Sequence, residues 1–278
     1  MRIEDISEKN YEDVFSICSN NRVFAPMDDP ILDKGREIKR NWILEVLEKY
    51  GSCTKIAYLD NTPVAQILFY PEEIIPFNHQ PRKDVIHLQC IFNPYTKAQR
   101  KGVGDALMKS LIEDCHKGIG CLGGRPCSFI VTKTFPHEGD LPLDMFYSKY
   151  GFKHGNQEMY LEVTKEYVPR EILENRRLPD DYGKAINFYN PTCEWGYFYA
   201  VKVKELLNEM EPNLSVRILS LWEQPEEYII RSHKQQIAAR TFINTEEPNP
   251  FLFWIDKNAF RREAEKALKS NLFAEART

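Results

Sequence analysis

Six consecutive residues, Gln99-Arg100-Lys101-Gly102-Val103-Gly104, bring two glycines, two cations and a side-chain amide together just ahead of a stretch with helical periodicity. A strand that passes through a glycine-containing turn into a helix presents backbone N–H groups with no intrahelical partner, and the helix dipole adds positive potential there. Glycine at 102 and 104 lets an anion come close to the backbone, where a Cβ would intrude. The chemistry this points to is phosphate binding, with Arg100 and Lys101 supplying charge and Gln99 an amide. It is not a dinucleotide fingerprint, because the third glycine is absent, nor a P-loop, because no Gly-Lys-Ser/Thr follows. Taken alone, the same turn also serves as a tight strand-to-helix connection without a ligand.

Other residues carry chemistry of their own. Tyr147 sits in the run Met145-Phe146-Tyr147-Ser148-Lys149-Tyr150-Gly151-Phe152. A phenol is neutral at pH 7 and a good proton donor. His87, Glu72 and Glu73 are candidate bases, but for each the favoured reading is the plainer one, a satisfied core histidine or a solvated carboxylate. Cys193 directly precedes a helical stretch, where free N–H groups and the dipole favour a thiolate. Cys115-His116, Cys121 and Cys127 lack metal-ligand spacing, and Cys115 falls on an apolar helix face, so no metal is expected.

The elements that must position these residues follow from periodicity. A short strand is expected at 1–7, helices at 11–18 and 36–50, and a hairpin of strands 55–59 and 64–70 around Asp60-Asn61-Thr62-Pro63. A strand at 85–92, a helix at 102–117, a strand at 128–132, a short helix at 143–150 and a closing strand at 158–163 complete an α/β domain. The pattern lapses into a linker over 166–184, rich in acids around Pro169 and Pro179. A second cycle then gives a strand at 185–189, a helix at 194–211, a strand at 215–221 and a helix at 225–234. Strands at 240–244 and 251–255 and a helix at 258–268 close it. The two cycles differ in order, so the chain reads as two different domains, 1–165 and 185–278, and not as a repeat.

In this order of elements, the first region resembles the GNAT superfamily of N-acyltransferases over about residues 1–165. Gln99 through Gly104 is similar to the family's Gln/Arg-x-x-Gly-x-Gly/Ala motif, and residues 145–152 to its closing Phe-Tyr-x-x-x-Gly-Phe signature, about 45 residues downstream. The resemblance implies an α/β (α+β) fold with a central mixed sheet, and acetyl-CoA or another acyl-CoA as co-substrate. It implies that N–H groups of residues 101–105, including Val103 and Asp105, bind the diphosphate. It also implies that the strand ending in Cys90, Ile91 and Phe92 pairs with the pantetheine arm and polarises the thioester carbonyl. Tyr147 would protonate the leaving thiolate, with His87 the first candidate base. The acceptor would be a primary amine of a small molecule or peptide. Two departures stand out: a longer loop from Pro94 to Gly102, and an apparent insertion over 133–144 whose Pro136, His137, Glu138 and Asp140 are expected to shape the acceptor side.

The second region resembles a thioredoxin-like fold, and the pairing of both regions is similar to bacterial acetyltransferases with a YoaP-like C-terminal domain. Cys193-Glu194-Trp195-Gly196 stands where that fold keeps Cys-x-x-Cys, with glycine at the resolving position. A dithiol oxidoreductase is therefore not expected; a monothiol role, or a fold kept for binding, stays open. The enzyme reading competes with an acyl-CoA-binding sensor that binds without turnover.

Composition sets the outer limits. The chain has 278 residues and a net charge of −4, which gives no electrostatic case for nucleic-acid or anionic-membrane binding. It shows no secretory signal and no apolar run of membrane-spanning length. Seven cysteines, odd in number and irregularly spaced, suit reduced thiols in a cytoplasmic protein. Nothing in the sequence reports the oligomeric state.

Overall fold

The computed structural model describes residues 1–19, 28–134, 142–171, 173, 175–232, 239–249, 253 and 256–270. The chain forms two compact units. The first comprises Met1–Asp29, Arg36–Ile75 and Gln80–Glu171; the second comprises Pro30–Gly35, Pro76–His79 and Ile172–Thr278. No helix among the described residues is long and apolar enough to cross a membrane.

In chain order the elements of the first unit are β1 (Arg2–Asp5), α1 (Asp13–Cys18), α2 (Pro30–Tyr50, which belongs to this unit from Arg36 on), β2 (Thr54–Leu59) and β3 (Thr62–Pro71). They continue as β4 (Ile86–Phe92), α3 (Val103–Lys117), β5 (Phe129–Thr132), α4 (Leu143–Ser148), β6 (Lys153–His154) and β7 (Met159–Glu162). Helix α2 starts at Pro30, one and a half turns ahead of the start expected at Arg36. Proline suits a first helical position, where its missing N–H would have had no acceptor. The strands form one sheet in the order β1-β2-β3-β4-β5-β7-β6, antiparallel except for the parallel pair β4–β5. The β2–β3 hairpin turns on Asp60 and Asn61 at φ 48° and 60°, the left-handed pair that matches strand twist.

Two irregularities in this sheet matter for the site. In the β3–β4 ladder Leu68 faces Cys90 while Phe69 faces Leu88, so Gln89 is an extra residue bulging from β4. The β4–β5 ladder then covers only Ile86 to Leu88 against Ile130 to Thr132. β5 ends at Thr132, opposite Leu88, so residues 89–92 of β4 present an edge on that side with no strand partner among the described residues.

A buried ionic cluster holds residues 167–171 against the sheet. Arg82 donates from Nε to Glu72 Oε2 at 3.0 Å and from Nη1 to Glu158 Oε1 and the Val168 carbonyl, both at 2.7 Å. Arg170 also donates to Glu72, and Tyr167 donates to Glu158 at 3.0 Å. The Arg82 guanidinium lies over Phe129 at 5.0 Å. Burial pushes the Glu72 carboxyl up, but the Arg82 hydrogen bond and the charges of Arg170 and Arg82 outweigh it and hold it below the usual glutamate range. A depressed folded-state pKa contributes stability that is present above the unfolded value and lost as pH falls through the folded one. Glu72→Gln leaves two buried guanidiniums sharing the single carboxylate of Glu158 and is expected to cost about 3 kcal/mol at pH 7. Urea unfolding curves collected from pH 7 downward would show that loss, together with a flatter acid limb in the variant.

The second unit contains β8 (Lys184–Tyr189), α5 (Glu194–Met210), β9 (Ser215–Ser220), α6 (Pro225–Ile229), β10 (Arg240–Ile243) and α7 (Lys257–Lys269). Its sheet runs β10-β8-β9, with β8–β9 parallel and β8–β10 antiparallel. Val203, Leu206 and Leu207 of α5 pack with Ile243, Phe260 and Ala264 into one core. Asp256 caps α7 by accepting from the N–H groups of Asn258 and Ala259. Helix α6 stops at Ile229, short of the end expected at 234. Arg231 leaves the helical path there, with its guanidinium on both oxygens of buried Asp181 at 2.6 and 2.7 Å and on the Glu227 carbonyl. The strand expected at 251–255 lies outside the described residues except for Phe253, as do Pro136, His137, Glu138 and Asp140.

Candidate acyl-coenzyme A site

Helix α3 begins at Val103, with Gly102 as its N-cap in the left-handed region at φ 73°. The first intrahelical bond runs from the Ala106 N–H to the Gly102 carbonyl at 2.9 Å. The N–H groups of residues 101–105 donate to no backbone carbonyl among the described residues. Nothing lies within 4 Å of where a Gly102 Cβ would stand. An open space above a run of free donors at a helix N-terminus is what a diphosphate fits. Exposed Lys101 adds charge beside it.

The loop ahead of the helix is fixed from below. The Tyr95 hydroxyl donates to the Ser16 carbonyl at 2.8 Å, a 3-10 turn covers Thr96–Ala98, and Ala98 is fully buried. Gln99 Nε2 donates to the Asn93 carbonyl at 3.3 Å, so its amide braces the loop.

The two motifs singled out in the sequence touch each other. A Cβ on Gly104 would sit 3.5 Å from the Phe146 ring, and the Tyr150 hydroxyl donates to Asp105 Oδ1. Phe146 packs edge-on against Tyr147 and Tyr150, with ring centroids 5.6 and 5.2 Å away. Helix α4 is thereby held against the N-terminus of α3. The contact sets Tyr147, which is 2% exposed, beside the end of β5. The Thr132 hydroxyl donates to the Leu88 carbonyl at 2.9 Å, at the last rung of the β4–β5 ladder. Burial pushes the Tyr147 phenol well above the ordinary tyrosine range, and the Cys90 side chain lies within its electrostatic reach. Thr132 and the Gln89 bulge were not singled out from sequence. The one signal for Thr132 was a polar residue closing the apolar strand Phe129-Ile130-Val131.

His87 is buried, stacked on Tyr70 with centroids 5.4 Å apart, and its Nε2 lies 3.2 Å from Gln89 Oε1. The Tyr70 hydroxyl donates to the same Gln89 oxygen at 2.7 Å. His87 Nδ1 meets no hydrogen-bond partner among the described residues. Burial pushes the imidazole down to about 3. A group so weakly basic stays neutral throughout the pH range in which an amine acceptor loses its proton. Imidazole NMR titration of the protein is expected to show no His87 ionisation between about pH 5 and 8; a midpoint near the ordinary histidine value would contradict the burial described. The acids at the end of β3 are committed elsewhere: Glu72 to Arg82 and Arg170, and Glu73 to the Asp84 N–H at 3.0 Å.

In the second unit Cys193 is the N-cap of α5 and is half-buried. A Cβ on Gly196 would stand 2.8 Å from the Asn190 carbonyl oxygen, so a second cysteine at that position has no room without movement of the backbone. The Trp222 indole donates to Asn190 Oδ1 at 3.1 Å, and Trp195, Phe198 and Tyr199 pack on one another.

No protein-family model matches the chain, and no curated protein matches it either. Solved structures to which it is similar include Ard1 from Thermoplasma volcanium, at 15% identity and TM-score 0.39 over 58% of this chain and 97% of that one. A GNAT family acetyltransferase from Brucella melitensis in complex with acetyl-CoA matches at 15% identity and TM-score 0.40, over 61% and 92%. The ribosomal-protein-S18-alanine N-acetyltransferase from Escherichia coli matches at 13% and 0.39, over 60% and 96%.

Proposed function

We propose that the first unit transfers an acetyl or other short acyl group from coenzyme A to a primary amine by direct attack. The observation that supports this is a set of three features: free N–H groups at 101–105, the β4 edge at 89–92 left without a strand partner among the described residues, and the helix of Tyr147 held against the N-terminus of α3. A thioester supplies an activated acyl group and a thiolate leaving group. Residues 101–105 would hold its diphosphate, with Gln99 and Arg100 bracing and charging the loop. The unpaired edge at Cys90, Ile91 and Phe92 would align the pantetheine amides as an added strand. A backbone N–H on that edge would stabilise the oxyanion that develops at the acyl carbon.

Tyr147 would donate to the departing thiolate. Burial keeps the phenol protonated at neutral pH, so it is a donor whenever a thiolate departs beside it. No side chain is assigned as the base. His87 is too weakly basic and Glu72 is clamped, which favours an acceptor that arrives as a neutral amine or loses its proton through water. Incubation with acetyl-CoA and a panel of primary amines, read by chromatographic release of CoA, tests the transfer. Binding of acetyl-CoA with no release for any amine would favour the sensor reading.

A second reading belongs to the second unit. The order β10-β8-β9, antiparallel then parallel, and a cysteine at the N-cap of α5 support a thioredoxin-like domain with one working thiol. The space closed by Asn190 at Gly196 argues against a dithiol cycle. Alkylation rate against pH tests it: an inflection well below the ordinary thiol value of about 8.5 supports an activated Cys193, and one at that value dismisses it.

A further inference from the structure

Cys18, Lys39 and Gln66 come from three different elements, α1, α2 and β3, and meet in the interior of the first unit. Cys18 is 8% exposed, Lys39 2% and Gln66 2%. Lys39 Nζ lies 3.1 Å from Cys18 Sγ, and Gln66 Nε2 donates to the same sulfur at 2.8 Å. The Lys39 ammonium also lies 5.7 Å from the centre of the Phe15 ring. Gln66 Oε1, on the side chain aimed at the sulfur, is buried with no hydrogen-bond partner among the described residues. A thiol with an ammonium and an amide directed at it has its negative charge supported, which is the condition for reaction with peroxide. None of these three residues enters the acyl-transfer chemistry proposed above.

We infer that Cys18 and Lys39 form a peroxide-dependent modification site, in which one oxygen atom bridges Sγ and Nζ. Peroxide first oxidises the Cys18 thiol to a sulfenic acid and leaves as water. Lys39 gives its ammonium proton to solvent, and a second peroxide oxidises the amine to a hydroxylamine, again releasing water. The hydroxylamine oxygen then attacks Sγ, the S–O bond to the sulfenic oxygen breaks, and that oxygen leaves as a third water. Sulfur and nitrogen each lose two electrons, and two peroxides take them up. The product ties the last residue of α1 to the middle of α2 and removes the Lys39 charge. Contact between sulfur and amine favours this outcome, because the nitrogen is already where the bridge must form.

The test treats the full chain with hydrogen peroxide and follows intact mass and a peptide map. The expected result is a gain of one oxygen with loss of two hydrogens, peptides containing Cys18 and Lys39 joined, and reversal by a thiol reductant. Cys18→Ser and Lys39→Arg should each abolish the joined peptide, and Lys39→Arg should leave Cys18 to proceed to sulfinic acid. Wild-type chain in which Cys18 reaches sulfinic acid unjoined, or in which neither residue changes, would overturn the inference without reliance on any variant's folding. A joined product that persists in Lys39→Arg would overturn it as well.

Discussion

A Gly102→Asp chain is expected to keep its fold and lose acetyl-CoA. Gly102 sits at φ 73° with open space where a Cβ would go. Aspartate is among the few residues that tolerate this left-handed region, and its carboxylate at a helix N-terminus is favoured by the dipole. The unfolding temperature should therefore hold. The same carboxylate stands in the space above residues 101–105 and competes for donors meant for a phosphate. Loss of two charge-assisted hydrogen bonds, at about 1.5–3 kcal/mol each, corresponds to a rise in Kd of roughly 100-fold or more. Calorimetric titration with acetyl-CoA, set beside a melting curve, checks both halves. An unchanged Kd would remove the phosphate cradle from the account.

The second large effect belongs to Tyr147. Tyr147→Phe removes one oxygen from a residue 2% exposed and keeps the ring that packs on Phe146 and Phe152. If the phenol donates to the departing thiolate, kcat should fall by about 10²-fold while the KM for acetyl-CoA stays near its original value. The pH profile carries the sharper reading. A phenol raised above its ordinary value remains protonated through about pH 10, so it contributes no basic limb below that. Any fall in rate on the alkaline side must then come from another group and should persist in the variant. Equal loss in kcat and in acetyl-CoA affinity would instead mark Tyr147 as packing.

Both predictions rest on contacts that the sequence only partly revealed. The turn 99–104 and the run 145–152 carried their own signals, glycines before an amphipathic helix and aromatics around Tyr147. Their meeting through Gly104 and Phe146 is tertiary and has no local signature. The Gln89 bulge is invisible for the same reason: the residues 86–92 read as an unbroken strand, and the extra residue exists only relative to β3. His87 and Glu72 show the opposite failure. Residue type made them candidate bases, whereas burial and two arginines set their charge states. The early start of α2 was legible at Pro30 but hidden by weak apolar periodicity in its first turns. The stop of α6 depended on Arg231 finding Asp181, which lies 50 positions away.

The most direct measurement is a crystal structure of the chain grown with acetyl-CoA. The account predicts diphosphate oxygens within hydrogen-bonding reach of the N–H groups of residues 101–105. It also predicts pantetheine lying along the open edge of β4 past Leu88, and the sulfur facing the Tyr147 hydroxyl. Diphosphate bound elsewhere, or pantetheine running away from that edge of β4, would contradict it.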